Sequence, residues 1–349
     1  MRRAVSLARL NEAERVPAGA PSLLEQLQAQ TAEQLWQYYM DLASGTLCLG
    51  KAEEAMRYLA VAIDAASELG RFEPRMAKSL NALAVLHCRA GNHGIGERML
   101  RRAARIYEKV YGPMHPDVGA VLYNLGGACK LQHKYHEAAQ EYERALAVAE
   151  HTHGSSHAET ALVLDLLGEV YIALNRRAAA LFALRRALAI KEAALGGRHW
   201  ETAITLGKLG EFYLSGGRYN EAEPLLRRAL DIKQQILGRD DATLAKDLKR
   251  LAYAFSAQHK FWEAETLFAS ALAMVKRALG PKHPEIVKSL HDLAKTYREQ
   301  SRLTDTKKLL EVSIAILEKA IGRDHPETES ALEFYSEILR VLNLDAAKR

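Results

Sequence analysis

The sequence predicts an all-α chain: a solenoid of about seven helical hairpins closed by a C-terminal capping helix. Three observations carry this expectation. A histidine recurs as His115, His157, His199, His283 and His325, with Asp241 in the missing slot, which sets a period of 42 residues. Glycines keep the same beat at Gly112, Gly154, Gly196, Gly238, Gly280 and Gly322. A leucine followed by a small residue does so too, at Leu83-Ala84, Leu125-Gly126, Leu167-Gly168, Leu209-Gly210, Leu251-Ala252 and Leu293-Ala294. A fixed period of this size marks an array of supersecondary units, each too small to bury its own apolar face.

The unit at 199–240 shows why each element is helical. Leu206, Leu209 and Tyr213 put one apolar stripe on a first helix, and Ala222, Leu225, Leu226, Ala229 and Leu230 put another on a second. Gly216-Gly217 breaks the chain between them, and Gly238 sits where a helix-ending glycine belongs. Taken in order, residues 1–20 read as a tail or docking segment, with arginines and hydroxyls but also Glu12 and Glu14. Residues 21–72 form a degenerate first repeat: Ser22 and Glu25 make a capping box, its first helix runs towards Ala43, and Gly50–Ala55 lies one residue out of register. Six 42-residue repeats fill 73–324; in the last, Thr306 replaces the small alanine seen as Ala138, Ala180, Ala222 and Ala264. His325-Pro326 opens a single capping helix to about Leu342, and 345–349 read as a frayed tail within the 325–349 segment.

Composition bounds the function classes. With 48 basic against 43 acidic residues, the net charge of +5 is too small to point to nucleic acid or a membrane surface. The three cysteines, Cys48, Cys88 and Cys129, have no paired spacing and read as free buried thiols of a reducing compartment. The expected location is cytoplasmic, with cytoskeleton or cilium as the alternative, or the mitochondrion if the first residues are a targeting segment. The chain contains neither a phosphate-cradling glycine loop with lysine nor an elbow-type serine. His87 and Cys129 share one slot with Tyr171 and Tyr213, so His87 is expected as a satisfied core histidine. Neither an enzyme nor a cofactor is expected.

The repeat Leu206-x-x-Leu209-Gly210-x-x-Tyr213 with Ala222-x-x-x-Leu226 and Ala229 resembles the tetratricopeptide signature. Its 42-residue length, His283-Pro284, Leu293-Ala294-x-x-Tyr297 and Tyr219-x-Glu221-Ala222-Glu223 resemble the repeats of kinesin light chains. The resemblance covers roughly residues 31–342. It implies a right-handed superhelix whose first helices line an inner groove. About 30 residues precede the array without sustained heptads, so a coiled-coil link to a motor is not expected.

Carried across residue by residue, the resemblance puts Asp165, Glu169 and Glu211 on the groove as an acidic band. It puts Lys246, Lys249, Tyr253, Lys288, His291, Lys295 and Arg298 there as a basic one. Such a surface suits an extended acidic peptide. The recurrent histidines are expected to start helices, one per repeat, and so cannot share an ion. His151, His153 and His157 lie within seven residues and are the alternative, a zinc site. The expected function is a non-enzymatic scaffold that binds an acidic peptide segment of a protein partner. The alternative is a structural subunit of a multi-subunit cytoskeletal, ciliary or organellar assembly, held by the outer face and termini.

Overall fold

A computed structural model describes residues 32–347. The expected capping box at Ser22 and the tail at 1–20 lie outside the described residues. Among the described residues there are fifteen α-helices and no strand. They run as α1 (Ala32–Cys48), α2 (Ala52–Leu69), α3 (Pro74–Arg89), α4 (His93–Tyr111), α5 (Pro116–Leu131), α6 (Tyr135–His153), α7 (Ala158–Ala173) and α8 (Arg177–Leu195). Then follow α9 (Trp200–Ser215), α10 (Tyr219–Leu237), a short 3₁₀ turn at Ala242–Leu244, α11 (Ala245–Ala257), α12 (Phe261–Leu279), α13 (Ile286–Glu299), α14 (Leu303–Ile321) and α15 (Pro326–Ala347). Odd-numbered helices are the first of each hairpin, even-numbered the second, and α15 stands alone. It runs past Leu342 to Ala347, because Asn343–Ala347 contains no glycine or proline to stop it.

The repeated residues act locally as their chemistry dictates. His115, His157, His199 and His325 each stand just before the helix they open, and His283 lies in the turn ahead of α13; in all five Nδ1 accepts the backbone N–H two residues on, at 3.2–3.3 Å. Asp241 does the same for Thr243 at 2.8 Å, which is why an aspartate can stand in the histidine slot. Gly154 and Gly238 end their helices at φ 92° and 87°, in the left-handed region open to glycine. The first hairpin slips by one residue because α2 has 18 residues where the later second helices have 19.

The chain divides into two compact units, Met1–Ile190 and Lys191–Arg349. Within each, first helices pack on their own second helices and those on the next first helix; α7 and α8 meet through Ala161, Leu164, Ala183, Ala187 and Ile190. In the first unit the core runs from Trp36 to Val170 through residues such as Leu59, Leu100, Leu125 and Tyr142. In the second, Leu206, Leu209, Tyr213, Ala222, Leu226, Ala229 and Leu230 are all buried, as their spacing requires. Hairpin packing is close at the small residue of the first helix. A Cβ on Gly126 would lie 2.7 Å from the Tyr142 ring, and one on Gly210 2.5 Å from Leu226. Thr306 is tolerated as a worn position because its buried hydroxyl donates to the Arg302 carbonyl at 3.0 Å.

Two expectations about single side chains fail. Cys48 is exposed, being the last residue of α1, whereas Cys129 is buried and Cys88 half-buried. His87 is not satisfied: its buried Nδ1 has no hydrogen-bond partner, and burial pushes its pKa down. It is a neutral packing residue that gives up a hydrogen bond.

Candidate functional site

The first-helix faces of the second unit carry the basic residues singled out by the sequence. On α11, Lys246, Lys249 and Tyr253 fall at i, i+3 and i+7; on α13, Lys288, His291, Lys295 and Arg298 continue that spacing for one more turn. Lys246, Tyr253, Lys288 and Lys295 are exposed, and Lys249, His291 and Arg298 are half-buried. The Tyr253 hydroxyl donates to the Asp292 carboxylate, which joins the α11 and α13 faces side by side. Arg298 reaches on to Glu337 of α15 at 3.5 Å and to Glu299 at 3.6 Å.

The charges on this face divide into two groups. Glu211 of α9 pairs with Arg250 of α11, which also touches the buried Asp247 at 3.4 Å. Lys233 approaches Asp247 at 2.6 Å from α10. Lys246, Lys249, Lys288 and Lys295, by contrast, have no carboxylate within ion-pair distance among the described residues. Burial, and then the neighbouring Lys295 charge, hold the His291 pKa down, so it is neutral at pH 7. Its Nε2 is buried and unpartnered. The free positive charge of this face is therefore four lysines.

The expected acidic band does not stand as such. Asp165 is buried at 3% exposure. Glu169 is bound to Lys130 of the preceding repeat at 2.6 Å, and Glu211 to Arg250 of the following one. Neither Glu169 nor Glu211 offers an uncompensated charge. The partners Lys130, Arg250, Asp292 and Glu337 were not singled out from the sequence, yet a signal for them exists. Each pair is separated by 39 residues, one repeat less about one helical turn, so that the two side chains meet across a junction.

The zinc alternative also changes. His151 is exposed and stays apart; the ligand atoms that come within 4.8 Å of one another belong to His153, His157 and Glu159. The His153 and His157 rings stack at 5.0 Å. His157 Nδ1 already accepts the Glu159 N–H at 3.3 Å, so its proton sits on Nε2. An ion bound at either nitrogen would displace that proton or the cap. The cluster reads as the cap of α7.

Stacked helical hairpins with faces lined by long polar side chains define a helical-repeat protein, a class built to bind other proteins. A tetratricopeptide repeat model matches residues 75–151, 121–193, 201–277 and 263–319, together more than half of the chain. The chain belongs to the tetratricopeptide repeat family, whose arrays generally serve as protein–protein interaction scaffolds rather than as enzymes. No curated protein matches it. Among solved structures it is similar to BtubC (BKLC) from P. vanneervenii, with a TM-score of 0.58 and 21% identity over 67% of this chain and 94% of that one. It is similar to a putative kinesin light chain with nearly identical TPR-like repeats from Podosopora anserina, with a TM-score of 0.54 and 24% identity over 59% and 98% of the two chains. The apo form of RapI aligns at a TM-score of 0.57 and 17% identity, over 81% and 98%. These likenesses show the fold. Among the described residues no helix is long and apolar enough to cross a membrane.

Proposed function

We propose that the chain is a scaffold whose α11 and α13 faces bind an extended acidic segment of a partner protein. What supports this reading is the set of four lysines, Lys246, Lys249, Lys288 and Lys295, left without carboxylates on a face where Glu211, Arg250, Asp292 and Arg298 are all paired. Unpaired cations on adjacent helices gain charge-assisted hydrogen bonds from an incoming carboxylate without first breaking an internal pair. Tyr253, 44% exposed between them, adds an aromatic surface for the peptide's backbone or an apolar side chain. The neutral His291 leaves the face no dependence on its own charge at pH 7.

The experiment is fluorescence anisotropy with a labelled, flexible Glu/Ser peptide containing no apolar residue. Binding should weaken roughly tenfold for Lys249→Glu with Lys295→Glu, and its affinity should fall steeply with salt. Equal affinity for the variant and the parent chain would remove this face from the function.

A further inference from the structure

The second helices carry a recurring staple between repeats. Arg144 pairs with Glu108, Arg186 with Glu150 at 2.6 Å, and Arg228 with Glu192 at 2.5 Å. Each arginine follows its glutamate by 36 residues. The same register names the residue that should face Arg102 on α4. It is Ala66, fully buried on α2 and carrying no charge. Arg102 therefore has no carboxylate partner among the described residues, and its guanidinium rests on Met76 Sδ at 3.0 Å.

Arg102 is not alone there. Arg57 of α2 and Arg98 of α4 are exposed beside it, and none of the three has an ion pair among the described residues. They rim a cavity of about 590 Å³ between α2, α3 and α4 whose floor is apolar: Leu80 and Leu83 are buried and Met99 is half-buried. Asp64 is the one carboxylate in the lining, and it already has an interaction of its own. An apolar hollow ringed by unpaired guanidinium groups is complementary to an apolar side chain flanked by carboxylates. Residues 1–31 carry four arginines against three glutamates, so the missing negative charge is not their surplus.

We propose that the groove between α2 and α4 is a second docking site, for an amphipathic acidic segment of another protein. One apolar side chain of that segment enters the cavity, and its carboxylates take the place that Glu108, Glu150 and Glu192 hold at the other junctions. Arginine suits this role because its planar fork grips a carboxylate through two parallel hydrogen bonds. Hydrophobic anchoring supplies the affinity, and the arginines supply register and on-rate. The site is separate from the lysine face and stands or falls without it.

The test uses the full chain and a labelled synthetic helix with leucines on one face and glutamates flanking them. Binding should weaken by at least roughly tenfold for Arg98→Glu with Arg102→Glu, and equally when the peptide's glutamates become glutamine or its leucines become serine. The loss from Arg98→Glu with Arg102→Glu should persist in a Lys249→Glu, Lys295→Glu background, which removes the lysine face from the measurement. Hydrogen exchange on the complex should slow amides of α2 and α4, a readout that shows the parent chain itself carrying the site. Absence of binding, equal binding by the arginine variant, protection confined to α11 and α13, or displacement by a peptide of residues 1–31 would each overturn the proposal.

Discussion

The Lys134 ammonium lies 2.7 Å from the Glu97 carboxylate across a repeat junction, and Lys260 makes the same contact to Glu223 at 2.8 Å three repeats further on. The surroundings repeat as well. Arg101 and Gln132 complete the donors around Glu97, and Arg227 and Gln258 those around Glu223. A glutamate sunk between two hairpins is satisfied from both, which ties neighbouring repeats at fixed register.

Burial pushes the Glu97 pKa up, but hydrogen bonds from Lys134, Arg101 and Gln132 outweigh it and bring the carboxyl down to about 2. A depressed carboxylate contributes stability that is fully present above its ordinary range, near 4.5, and is lost as pH falls towards about 2. Glu97→Gln should cost about 2 kcal/mol at pH 7 by urea unfolding. It should also flatten the loss of stability between pH 4.5 and 2 relative to the parent chain. An unchanged acid limb in the variant would show that Glu97 is not the group responsible.

Gly126→Ala should destabilise the first unit, because the added methyl meets the ring of Tyr142, itself only 1% exposed, at 2.7 Å. Overpacking of this kind costs about 1–3 kcal/mol, against a helix-propensity gain of up to about 1 kcal/mol. Thermal unfolding should show a lower Tm. A raised Tm would mean that the two helices can separate without penalty.

His199→Ala should lose the cap of α9 and about 1 kcal/mol, whereas His199→Asp should retain stability, since Asp241 caps the equivalent position. Denaturant midpoints of the two variants decide the matter. Equal losses would place the histidine's role elsewhere than in its acceptor nitrogen.

Glu211→Ala and Arg250→Ala should differ although they break one ion pair. Glu211 is 57% exposed and its loss should be worth less than about 0.5 kcal/mol, as for surface pairs generally. Removing Arg250, 19% exposed, also leaves the buried Asp247 with Lys233 as its one remaining cation among the described residues, and should cost about 1–3 kcal/mol. A double-mutant cycle measures the coupling.

In the native chain a thiol reagent at pH 8 should label Cys48 rapidly. Cys129 should stay unreactive until unfolding, because burial, assisted by the charge of Glu97, pushes its thiol up to about 11. Rapid labelling of Cys129 would mean that the α5–α6 hairpin opens readily.

The amino-acid sequence alone determined what is local and repeated. The period gave the hairpins, the opening histidines gave the caps, and the apolar spacing gave the buried faces, because each depends on neighbours within one or two helical turns. The groove placement of Lys249 and Lys295 came instead from the family resemblance, as an expectation. The local signals did not show that Asp165 is buried, that Glu211 is neutralised by Arg250, or that Arg102 lacks the glutamate its counterparts have. Such facts depend on how far one hairpin is set back against the next. At these junctions that offset brings together side chains 36, 37 or 39 residues apart rather than 42. Only packing fixes that displacement, so only the tertiary structure decides which charges are paired inside the array and which are left unpaired.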